Sequence, residues 1–110
     1  MLFAVALLML ALDEPPPPPE VVQAVEAWTA CLSEQLDRAG DEAPPEAIAD
    51  SMLAECRPQQ DRALAAHGRW LDFSELSERE KANARRAMER SLPSVRSEIV
   101  RAIRDAQRAR

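Results

Sequence analysis

Cys31, Cys56 and His67 are the residues whose types could carry covalent or proton-transfer chemistry in this chain. Thiols bridge, ligate metals or attack as thiolates, and a histidine moves protons near neutral pH. Most of these options fail on count or spacing. Zinc wants four ligands, and there is only one histidine. The cysteines stand too far apart for a C-x-x-C redox motif. Cys31 also lies well past the apolar run at 2–12, outside a lipid-attachment context. His67 has no Ser, Cys or Asp constellation around it by motif and reads as a partly buried helix histidine. No phosphate loop, metal cluster or nucleophile–base pair is visible, so the expectation is a non-enzymatic protein without metal or cofactor. One bridge, Cys31–Cys56, is the chemistry left.

That bridge needs two helices to bring the cysteines level. Val21, Val25, Trp28, Leu32 and Leu36 recur at helical spacing, so 20–39 predicts a helix with Cys31 at the edge of its apolar stripe. Arg38 in the last turn and Gly40 after it form a stop. A second helix starts near Pro45 and places Ile48, Met52, Leu53 and Cys56 on one face, with Pro58 ending or kinking it. Cys31 lies about 12 Å before the first helix ends, and Cys56 about 16 Å after the second begins. An antiparallel hairpin over 20–57 therefore brings the two together.

Residues 58–110 complete a single helical domain, 20–110. A third helix over 58–71 turns Ala63, Leu64, His67, Trp70 and Leu71 inward. Ser77 and Glu80 form a capping box that opens a fourth, with Ala84, Met88 and Leu92 as a thin apolar line. Pro93 is expected to break or kink that helix. A last helix, 94–109, carries Val95, Ile99, Ala102, Ile103 and Ala106 on one face. The fold class is all-α: an antiparallel hairpin stapled by one disulfide, plus two or three further helices. Twenty alanines and two glycines agree with it.

The amino-terminal stretch bears on compartment. Residues 2–12, LFAVALLMLAL, are shorter than a membrane span and match a signal-peptide apolar core. No Lys or Arg precedes the run, and a cut after Ala11 leaves Met9 at the −3 position. Residues 1–12 are therefore read as a signal peptide or an uncleaved anchor, with a short buried helix as the other reading. Residues 13–19 form a Pro-rich linker, its five prolines a stiff spacer of roughly 15 Å. A periplasmic or secreted location follows, and there two cysteines favour a bridge.

Charge is segregated. Residues 13–56 hold eleven acids and one base, and 57–110 hold thirteen bases and eight acids, within a net charge of −5. Arg96, Arg101, Arg104 and Arg108 fill the polar surfaces of the last helix and are candidate contacts for an anionic surface. The competing reading pairs the basic face with the acidic hairpin. Nucleic acid is disfavoured, because no aromatic lies beyond Phe73 and no nucleic-acid-binding motif is visible. The sequence leaves a homodimer open.

At Trp28-Thr29-Ala30-Cys31 and Ala54-Glu55-Cys56 the chain resembles a loose class of small exported two-cysteine helical proteins of proteobacteria, over about 21–56. The Trp-Thr pair before a cysteine also resembles the periplasmic acid-stress chaperones, but Ala30 intervenes and the cysteine spacing is shorter. Leu76-Ser77-Glu78-Arg79-Glu80 resembles the L-T-x-x-Q motif of Spy-type chaperones, departing at both Thr and Gln. Most of that class has no assigned function, and the chaperone function is not carried over; the expectation is a non-enzymatic envelope interaction or stress-related role, with the split-charge helical face as its binding surface. The alternative is a membrane-surface protein acting through its basic amphipathic carboxyl-terminal helix.

Overall fold

The computed structural model describes residues 17–40 and 42–109. The readings of 1–12 and of the linker up to residue 16 lie outside them. Among the described residues there are four helices and no strand: α1 Pro19–Asp37, α2 Pro45–Glu55, α3 Arg57–Asp72 and α4 Glu78–Ala109.

Prolines start the first three helices. Pro19 and Pro45 occupy the first helical position of α1 and α2, where a missing N–H costs nothing. Pro18 keeps an extended conformation before α1, and its carbonyl accepts from the Val21 and Val22 N–H groups. Pro58 sits in the first turn of α3, so it opens a helix, while the break falls at Cys56. Gly40 does not adopt the left-handed conformation of a glycine stop; α1 ends on Arg38 in a right-handed turn.

The capping box forms as expected. Glu80 N–H donates to Ser77 Oγ, and Ser77 N–H donates to Glu80 Oε1, both at 3.1 Å. The Ser77 N–H, and then its hydroxyl, hold the Glu80 carboxyl below the usual carboxylate range. The helix they open does not end at Pro93. It runs on for 32 residues, so the expected pair of helices is one. Pro93 is exposed. Proline there has no N–H to give the Glu89 carbonyl one turn back, and burial of Val95, Ile99, Val100 and Ile103 just beyond offsets the loss.

Ion pairs and the bridge set the topology. Cys31 meets Cys56, and Glu20 meets Arg69, so α1 and α3 are antiparallel. Asp50 meets Arg96, and Glu46 meets Arg104, so α2 and α4 are antiparallel as well. The return arm of the stapled hairpin is thus α2 and α3 together, jointed at Cys56. The most extensive pairing of α1 is with α3 rather than α2, and α2 packs chiefly on α4. The body measures 49 × 21 × 20 Å, and α4, about 48 Å long, spans it.

All four helices feed one core. Val21, Val25, Trp28 and Leu32 of α1 pack with Ala49, Met52, Cys56, Ala63, Ala66, Val95, Ile99 and Ile103. Trp28 Nε1 is buried without a hydrogen-bond acceptor among the described residues. A buried Lys81 locks the far end: its Nζ donates to the Asp72 carbonyl at 3.2 Å and pairs with Glu78 at 3.4 Å. A cation there satisfies an orphan carbonyl and meets the negative end of α3. Arg85 adds an ion pair to the Asp72 carboxylate.

Candidate functional site: the arginine face

The chemistry-bearing residues are spent on structure. Cys31 and Cys56 form the expected disulfide, with Cα atoms 5.9 Å apart, and neither cysteine is free. Cys56 is fully buried in the core and Cys31 half-buried. A disulfide belongs to an oxidising compartment. No described helix is long and apolar enough to cross a membrane.

His67 is buried, packed edge-on against Trp70 with ring centroids 5.7 Å apart. Burial, and then the nearby Arg85 charge, hold its pKa below the ordinary value of 6.5. It lines none of three shallow surface clefts. One of these lies between α1 and α3, where Pro18, Trp70 and Phe73 meet. A second adjoins it, around Ala24 and Ala65. The third is a dent by Pro93, Ser97 and Arg101 on α4. Among the described residues, no group of three or more His, Cys, Asp or Glu is placed to hold a metal ion.

The four arginines singled out from sequence divide. Arg96 turns sideways onto α2, and its Nε and Nη2 donate to the two carboxylate oxygens of Asp50 at 2.8 and 3.3 Å. That fork holds the Asp50 carboxyl below its usual range and raises the pKa of the Arg96 guanidinium. Arg104 pairs with Glu46 at 2.6 Å, and Arg108 lies 3.9 Å from Asp105. Arg101 makes no ion pair or hydrogen bond among the described residues. Part of the basic helix is therefore paired with the acidic hairpin, as the competing reading expected. Gln107 extends that seam, its Nε2 donating to the carbonyls of Ala43 and Gly40.

What the sequence reading missed is continuity. With α4 unbroken, Arg79, Arg86, Arg90, Arg101, Arg104 and Arg108 fall within a sector of roughly 60° on a helix of 3.6 residues per turn. All six are exposed. No Asp or Glu shares the sector. Asn83 and Ser97 do, and Asn83 accepts a hydrogen bond from Arg86 at 2.6 Å. Arg79 and Arg90, like Arg101, have no ion pair or hydrogen bond among the described residues. The signal is present as a helical period in arginine; ending a helix at Pro93 conceals it. The opposite side of α4 packs inward: Val95, Ile99, Val100, Ala102 and Ile103 are buried, and Met88 and Leu92 lie half-buried against the core.

Comparison of the chain with protein-family models, with curated proteins and with solved structures finds no match in any of the three.

Proposed function

We propose that this chain is a non-enzymatic interaction protein of the bacterial cell envelope, exported to the periplasm or beyond, that docks on an anionic partner through the arginine face of α4. One observation carries the reading: six exposed arginines in a single sector of one unbroken helix, with no acid among them. Three of the six have no ion-pair or hydrogen-bond partner among the described residues. Side chains selected only for solubility would mix signs along such a face. The disulfide and the apolar run at 2–12 support an oxidising, exported setting.

The route by which basic amphipathic helices enter a lipid interface has no support here. It needs a free apolar face, and that of α4 is packed in the core. Docking instead runs through charge alone and weakens with salt.

The test is retention of the full chain on immobilised dextran sulfate under a salt gradient. The reading expects retention at low salt and release as salt rises, and early elution for the R79E/R90E/R101E variant. Co-elution of the variant with the parent chain would overturn it.

A further inference from the structure

We infer that the anionic partner is the phosphate plane of an anionic phospholipid bilayer, met side-on by the folded bundle without insertion of α4. This rests on the reading of the arginine face as a docking surface, and it adds the shape and class of the partner.

Geometry favours a plane. From Arg79 to Arg108 the row runs about 44 Å along one side of α4. The feature beside it is the shallow dent at Pro93, Ser97 and Arg101, too open to enclose a ligand. A long row of guanidinium groups on one side matches a flat array of phosphates, and each group can take phosphate oxygens in a two-pronged contact.

Charge polarity favours a plane too. The outward side of α1 carries Glu26, Glu34 and Asp37, all exposed, with Glu34 paired to Arg38. This acidic side and the arginine face both turn away from the shared core, on a body 20 Å thick. The screening length at physiological salt is about 8 Å. A planar partner therefore meets the arginines while the α1 acids stay beyond its reach. A flexible polyanion long enough to wrap the body would meet both signs. The row also lacks what nucleic acid readers use, because no aromatic residue lies between 79 and 109 to stack a base.

The experiment measures partition of the full 110-residue chain onto two kinds of vesicle. One is pure phosphatidylcholine; the other is equal parts phosphatidylcholine and phosphatidylglycerol. The comparison chain is R79Q/R90Q/R101Q, whose three altered side chains make no ion pair or hydrogen bond among the described residues and whose thermal midpoint is expected to match the parent. Both chains keep residues 2–12, so the difference between them reads the arginines alone. The expected result is binding that requires phosphatidylglycerol and is released at about 1 M salt, where screening acts within about 3 Å. The triple variant is expected to bind on the order of 100-fold more weakly, from about fivefold per arginine near a charged surface.

Equal binding to both vesicles, or equal binding by both chains, overturns the inference. So does a parent chain that ignores vesicles but binds a DNA duplex; that result leaves the anion-docking reading standing with nucleic acid as the partner. A chain that binds neither vesicles nor dextran sulfate overturns both.

Discussion

Reducing the Cys31–Cys56 bridge tests the stapled hairpin most directly. The two cysteines are 25 residues apart in sequence. Opening a loop of that size returns about 3.5 kcal/mol of chain entropy to the unfolded state at room temperature, counting loop closure alone. A domain of this size is stable by roughly 5–15 kcal/mol, so reduction removes a large fraction without abolishing the fold. Far-UV circular dichroism of urea unfolding, with and without a reductant in the buffer, reads the effect. Reduction is preferred to substitution because Cys56 is fully buried and a serine there would bury a hydroxyl in the core. The urea midpoint should fall by about 2 M. The thermal midpoint should fall by about 15–25 °C. The slope against urea should steepen, because the uncrosslinked chain exposes more surface on unfolding. A midpoint change below about 0.5 M would refute the reasoning, and would mean that the unfolded chain already holds these two segments together.

Three further perturbations address single features. Ser77→Ala removes the hydroxyl that accepts from Glu80 N–H and should cost about 1 kcal/mol in urea unfolding; a cost near zero would mean that water replaces the cap. Pro93→Ala restores a backbone donor inside α4 and should stabilise by up to about 3 kcal/mol by calorimetry; a lower melting point would show that the proline ring contributes to packing. His67 titrates below 6.5 in the folded chain, so the unfolded chain takes up its proton first as pH falls. Its contribution is complete above about pH 6.5 and is lost as pH drops from there toward the folded value. The urea midpoint should therefore decline on acidification from about pH 7.5 to 5.5, and His67→Gln should flatten that decline. A parent midpoint that holds steady or rises would contradict the buried, neutral imidazole.

The legible parts of the fold are those set by contacts local in sequence. The α1 stripe can be read because four large apolar side chains at spacings of three and four must share a face, and Val21, Val25, Trp28 and Leu32 are all buried. The capping box is legible because its partners lie within one turn. Alanine carries no such signal. Ala49 and Ala66 are core residues, yet in an alanine-rich chain nothing marks them against the exposed ones. Lys81 reads as a surface residue, and only the arrival of α4 at the end of α3 gives its ammonium a carbonyl to meet. Pro93 misleads because its local penalty says nothing of the packing that lies beyond it. A break there also splits the arginine face, so the sequence offers four candidates where six share a side, and one of the four, Arg96, belongs to the seam with α2. The pairing of α1 with α3 is not legible either, since the choice of helix neighbour depends on surfaces far apart in sequence.

The bridge also changes how the molecule answers to force. A chain held near residue 17 and pulled from its carboxyl end transmits tension along its covalent path, and from Cys31 that path crosses directly to Cys56. The residues between them, including all of α2, carry no load while the bridge is intact. The oxidised chain therefore withholds about 80 Å from extension: the 25-residue loop at roughly 3.4 Å per residue, less the 5.9 Å that the bridge spans. Pulled to full length, it should stop short of the reduced chain by that amount, with the end of α1 and all of α2 shielded on a slack loop while the rest of α1, α3 and α4 unravel.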